Sequence, residues 1–107
     1  MNYIDNYFNL SDKVVAITGG AGYLCSEMAL GFHHAGCTVS VLDSNLGGAE
    51  KIVKTIENEG GKAIALEMNA SKKEDFKYCL KEVVTKFGQV DILVNGCLLY
   101  TSDAADE

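Results

Sequence analysis

The sequence predicts an α/β chain: the N-terminal half of a doubly wound parallel sheet, with strands in the spatial order 3-2-1-4. Three observations predict it. Val14 to Ile17 is a short continuous apolar run, which suits a strand buried on both faces, and further strand-like segments follow at 38–42, 63–66 and 92–94. Between them lie segments whose apolar residues fall at helical spacing. The first run passes straight into a glycine-rich turn, Thr18-Gly19-Gly20-Ala21-Gly22. Strand–helix alternation calls for a parallel sheet with right-handed crossovers. Helices 1 and 2 then cover one face and helix 3 the other.

Met1 to Asp12 is polar with scattered aromatics and reads as an arm. Val14-Val15-Ala16-Ile17 is strand 1. Helix 1 follows the glycine turn, with Leu24, Met28, Ala29, Phe32 and Ala35 as its expected buried stripe and Gly36 as its stop. Strand 2, Thr38 to Leu42, ends in Asp43. Helix 2 carries Ala49, Ile52, Val53 and Ile56 on one side and stops at Gly60-Gly61. Strand 3 is Ala63 to Leu66. Ser71-Lys72-Lys73-Glu74 has the pattern of a capping box, with Ser71 as N-cap. It opens helix 3, whose stripe is Phe76, Cys79, Leu80, Val83, Val84 and Phe87 and whose end is Gly88. Strand 4 is Ile92-Leu93-Val94, followed by Asn95-Gly96.

A chain of 107 residues has room for one core. Nine lysines, no arginine and fifteen acids leave a net charge of −6. That balance excludes a nucleic-acid or anionic-membrane binder, since both want a basic face. No apolar run approaches the ~18–20 residues of a membrane span, and the first residues lack the regions of a signal peptide. The cysteines Cys25, Cys37, Cys79 and Cys97 form no C-x-x-C and no zinc spacing. Cys25 and Cys37 read as opposite ends of one helix, about 18 Å apart and too far for a disulfide. Free thiols without a secretion signal point to the cytoplasm. His33 and His34, adjacent on a helix, are expected to point to different sides as solvated surface residues. The lysines of helix 3 alternate with Glu74 and Asp75 and form a solvated face.

Residues 97–107 continue none of these patterns and read as the translated end of a transposon-based sequencing adapter. The expected organisation is an arm at 1–12, a truncated dinucleotide-binding half-domain at 13–96 and a non-native tail at 97–107.

The glycine turn carries the chemistry. A pyrophosphate needs backbone N–H groups at a helix N-terminus and a backbone it can approach without meeting a Cβ. Gly19, Gly20 and Gly22 offer both in a strand-turn-helix setting. Asp43 stands 24 residues after Gly19, at the end of strand 2. A carboxylate there accepts hydrogen bonds from the adenosine ribose hydroxyls and repels a 2′-phosphate. Ser44, Asn45 and Leu46 follow, with no cation until Lys51, so NAD is favoured over NADP. Asp43 could also serve as the N-cap of helix 2.

Over Phe8 to Gly96 the chain resembles the short-chain dehydrogenase/reductase family. The resemblance rests on Val-Val-Ala-Ile-Thr-Gly-Gly, Asp43, Asn69-Ala70-Ser71 and Asp91-Ile92-Leu93-Val94-Asn95-Gly96. It implies a Rossmann fold and cofactor contacts from Gly19, Gly20, Gly22, Tyr23, Leu24, Asp43, Asn69, Ala70, Asn95 and Gly96. It places Asn69 and Ala70 beside the adenine. It makes Asn95 the first Asn of the family's Asn-Asn-Ala-Gly motif, which steadies the central sheet. Three positions depart from the family pattern: Tyr23 stands where the usual turn has its second glycine, Cys25 replaces a packing glycine, and Asn69 replaces the commoner Asp. The Gly-Gly-x-Gly-x-Leu variant resembles the sugar-acid reductases of the family, of the D-mannonate oxidoreductase type. The implied parent is a homo-oligomeric oxidoreductase acting on CH–OH/C=O of a small carbonyl or sugar-acid substrate. The family's Tyr-x-x-x-Lys pair is not in the chain: Tyr23 is followed four residues on by Glu27, and Tyr78 by Glu82. No catalytic and no metal-binding residue is therefore expected here. A second reading is a non-catalytic nucleotide-binding or regulatory module. A phosphoacceptor receiver domain is disfavoured, because Thr18-Gly19 and Asn69 stand where it needs carboxylates.

Overall fold

The computed structural model describes residues 9–19 and 21–96; the expectations for 1–8, Gly20 and 97–107 lie outside the described residues. The elements are β1 (Val14–Thr18), α1 (Tyr23–His34), β2 (Thr38–Asp43), α2 (Leu46–Asn58), β3 (Ala63–Glu67), α3 (Lys73–Phe87) and β4 (Ile92–Asn95). The four strands form one parallel sheet in the order β3-β2-β1-β4, the order the alternation predicts.

All five residues of β1 are buried, which is why the four before Thr18 are apolar without a break. Its alternate residues feed two cores. Val15 and Ile17 join Val39, Val41, Cys25, Ala29, Ala49 and Ile56 beneath α1 and α2. Val14 and Ala16 join Leu42, Met68, Cys79 and Val83 beneath α3. The two-faced covering expected from right-handed crossovers is thus present. Ser40 is fully buried in β2, and its Oγ has no hydrogen-bond partner among the described residues.

The end of the arm is tied to the fold. Leu10 packs against the first core, its carbonyl accepts from Lys13 N–H and from Cys37 Sγ, and Asp12 N–H donates to Gly36 O. Asp91 closes the start of β4 onto β1: its Oδ2 accepts from Val14 N–H at 2.8 Å, and its own N–H donates to Val14 O at 2.8 Å.

Several local expectations are corrected. The buried side of α1 runs through Cys25 and Ala29, while Leu24 is 61% exposed; burial against the sheet selects a phase that an apolar residue in the first turn does not share. On α3, Cys79 and Val83 are buried and Phe76, Leu80 and Phe87 pack partly against that core, but Val84 is 45% exposed. No capping box forms. The N-cap of α3 is Lys72, without a side-chain cap. Ser71 instead donates from N and from Oγ to Asn69 Oδ1, and Asp75 Oδ2 reaches back to accept from Asn69 N–H. The N-cap of α2 is Asn45, whose Oδ1 accepts from Gly48 N–H, so Asp43 is not a helix cap. Cys37 does not end a helix: it follows Gly36 in the turn before β2 and is buried in the same cluster as Cys25.

Candidate dinucleotide-binding site

The register aligns the carboxyl ends of the strands: Thr18 pairs with Leu42 and with Asn95, and Asp43 with Glu67. The crevice outside such ends is where open α/β sheets take their ligands. Asp43, Asn69, Asn95 and the glycine turn therefore all stand at one edge.

The turn leaves β1 at Gly19, whose φ of +68° lies in the left-handed region open to glycine at little cost. Gly19 N–H donates to Leu42 O at 2.8 Å, and Gly22 N–H donates back to Gly19 O at 3.1 Å. Gly22 is the N-cap of α1, with extended backbone and no side chain to cap the first turn. That turn also holds no acid. The positive end of the helix thus carries neither a side-chain cap nor an acid of its own, a setting that favours an external anion.

Asp43 links the turn to β2. Its Oδ2 accepts from Ala21 N–H at 2.9 Å and its Oδ1 from Asn45 N–H at 2.8 Å. Each carboxylate oxygen keeps a further lone pair for a ribose hydroxyl. A Cβ on Gly48 would come 3.1 Å from Ala21 Cβ, so the glycine there lets α2 start close against the turn. At the other flank Thr18, 1% exposed, donates from Oγ1 to Asn95 Oδ1 at 2.9 Å. This cross-strand bond fixes Asn95 at the mouth of the site. Gly96 follows it, with its backbone against Thr18 O and Cys25.

Of the sequence-derived residues, Gly19, Gly22, Asp43, Asn95 and Gly96 converge around the start of α1. Tyr23 is 85% exposed and heads the helix together with the exposed Leu24. Asn69 and Ala70 stand exposed in the turn after β3, where the Asn69 side chain is engaged with Ser71. The sequence reading passed over Thr18 and the Ala21 N–H. Thr18 was legible as the one polar residue ending an apolar run; the Ala21 contact needs the packing of β2 beside the turn.

The model for the short chain dehydrogenase family matches residues 13–106. The chain belongs to that family. The match runs past Gly96 into the segment that the sequence sets apart. Among curated relatives, an uncharacterized oxidoreductase of Haemophilus influenzae is 38% identical over 96 residues, covering 90% of this chain and 33% of the relative. The 7α-hydroxysteroid dehydrogenase of Escherichia coli is 34% identical over 86 residues, covering 80% of this chain and 34% of its own. The chain spans about a third of the length of these relatives. A solved 7α-hydroxysteroid dehydrogenase complexed with NADH and 7-oxo glycochenodeoxycholic acid superposes with a TM-score of 0.81 at 34% identity, over 89% of this chain and 37% of that one. A provisionally named D-mannonate oxidoreductase from Haemophilus influenzae with bound NAD gives 0.76 at 37% identity, over 84% and 32%. Among the described residues of this short-chain dehydrogenase, no helix is long and apolar enough to cross a membrane.

Proposed function

We propose that this chain is the dinucleotide-binding portion of an NAD-dependent short-chain dehydrogenase/reductase, with the catalytic Ser, Tyr and Lys carried outside it. The proposed parent is a cytoplasmic homo-oligomer acting on CH–OH/C=O of a small carbonyl or sugar-acid substrate. The observation that carries this reading is the bond from Ala21 N–H to Asp43 Oδ2. It holds an acid beside an uncapped helix N-terminus, so one ligand can present a ribose to the acid and a pyrophosphate to the helix.

The residues fit the cofactor. The glycines leave the pyrophosphate approach free of side chains, and α1 presents N–H groups without a competing acid. Asp43 would hold the adenosine ribose, Asn69 and Ala70 would border the adenine, and Asn95 and Gly96 would floor the site toward the nicotinamide. When bound, the nicotinamide supplies or accepts the hydride. This chain's own residues bind and orient; no tyrosine in the sequence has a lysine four residues on to help move the substrate proton. NAD is preferred to NADP because Asp43 opposes a 2′-phosphate and the chain has no arginine to answer it. The sugar-acid reading draws support from the turn variant and from the likeness to the provisionally named D-mannonate oxidoreductase. The test is calorimetric titration of the chain with NAD, NADP and ADP-ribose. NAD and ADP-ribose should bind and NADP should bind more weakly; absence of saturable binding by all three would overturn the proposal.

A further inference from the structure

His33 and His34 were expected to diverge, and they do not. Each Nε2 lies 3.0 Å from the same atom, Glu59 Oε1, and the rings tilt 42° to one another with centroids 5.1 Å apart. The two imidazoles end α1, and Glu59 is the C-cap of α2. The cluster sits at the end of the helices opposite the glycine turn, away from the candidate cofactor site.

We propose that His33, His34 and Glu59 form a binding site for a divalent first-row transition ion, of the Zn2+, Ni2+ or Cu2+ class. The three ligand atoms lie within 4.8 Å of one another. Tetrahedral ligands about 2.1 Å from such an ion are separated by about 3.4 Å, a few tenths of an ångström more than the 3.0 Å of each His–Glu pair, so a small outward shift of the side chains admits the ion. Two imidazoles and one carboxylate select a borderline ion over Mg2+ or Ca2+. Two helix C-termini converge here, and their partial negative charge favours a cation. The net charge of −6 acts the same way.

The site is built and also open. The His33 side chain is 10% exposed and that of His34 64%. His33 lies against the α2–β3 turn, where a Cβ on Gly61 would come 2.5 Å from its Cε1 and Nδ1; the glycine makes room for the ring. The adjoining cavity, about 280 Å³, is lined by Asp12, Cys37 and Lys62 as well as His33 and Glu59. Hydrogen bonds from His34 and then His33 hold the Glu59 carboxyl below the ordinary carboxylate range, so it offers an ionised oxygen. Binding requires each Nε2 to give up its proton or to pass it to Nδ1, and it exchanges those hydrogen bonds for coordination. Three protein ligands leave at least one position for water or an outside ligand.

The chain has two histidines, and both are in the cluster, so imidazole ligation can be read without ambiguity. Zn2+ titrated into the full chain at neutral pH should bind at one site and shift the imidazole NMR signals of both histidines together, while Mg2+ should shift neither. His34→Asn, at an exposed position, and Glu59→Gln should each weaken Zn2+ binding by about ten-fold or more, with circular dichroism unchanged. No saturable Zn2+ binding, or binding of equal strength in His34→Asn, overturns the proposal. So does binding that leaves the imidazole signals in place, because the ion would then be held by thiols or carboxylates elsewhere.

Discussion

Gly96 and Cys25 occupy one space: a Cβ built on Gly96 would overlap the Cys25 Sγ and stand 2.6 Å from Thr18 O. The family's packing glycine is absent from the start of α1, and the glycine after β4 makes the room instead. Gly96→Ala should destabilise the chain by about 1–3 kcal/mol, the usual scale of overpacking. Cys25→Ala in the same chain should recover part of that loss and no more, since the clash with Thr18 O remains. A urea-melting double-mutant cycle measures the coupling; additive effects would show that the two residues do not share the space.

Asp43 should carry both cofactor choice and turn stability. Asp43→Ala removes the acceptor for Ala21 N–H and Asn45 N–H and should cost about 1–3 kcal/mol. It should also lower the preference for NAD over NADP by about ten-fold, equivalent to ~1.4 kcal/mol. Calorimetry on the two cofactors reads the ratio. An unchanged ratio in a folded variant would remove Asp43 from the ribose position.

Hydride transfer should be absent from the chain alone. No tyrosine has a lysine four residues on, and none of the site residues described can activate a substrate hydroxyl. Nicotinamide absorbance at 340 nm, a general property of the reduced cofactor, should not change with sugar acids, polyols or ketones. Turnover above a blank would contradict the reading of the chain as a cofactor-binding portion.

Two buried thiols should set an alkaline limit. Burial raises the Cys37 pKa, and Asp91 adds to it; burial raises that of Cys79, with Asp75 and Glu82 adding. A folded-state pKa above the unfolded value contributes stability that is complete below the ordinary thiol range, about 8.5, and is lost as pH rises through the raised value. Urea midpoints should hold near neutrality and fall above about pH 9. Cys79→Ala should flatten that fall; a midpoint independent of pH in the unsubstituted chain would contradict it.

Both core clusters and every strand pairing described lie between Leu10 and Asn95. Deleting 97–107 should therefore leave the melting temperature nearly unchanged. A transition that broadens or disappears on deletion would assign these residues to the fold, in line with the family match that reaches residue 106.

The sheet was legible because β1 and β2 are buried on both faces, and a strand in that position is apolar along most of its length, with Thr18 and Ser40 as the buried polar residues. The glycine turn and Asp43 were legible because a phosphate approach and a ribose acceptor each demand a particular residue type. The helix ends were not. Ser71 looks like a cap, yet Asn69 takes its hydroxyl, and Asp75 rather than Glu74 reaches back. The meeting of His33 and His34 at Glu59 depends on where α2 ends, 25 residues further on, and no local spacing encodes it.

The strand order has a consequence for how the chain assembles. β1 is made first and sits inside the sheet, between β2 and β4. Its β2 partner comes soon after, but Val14 and Asp91 are separated by 77 positions. Closing so long a loop costs entropy before the pairing repays it. During synthesis β1 must wait with one flank open while α1, α2 and α3 emerge. The earliest strand is thus the last to be fully enclosed, and its exposed apolar edge is the point at which a nascent chain is most open to pairing with a neighbour.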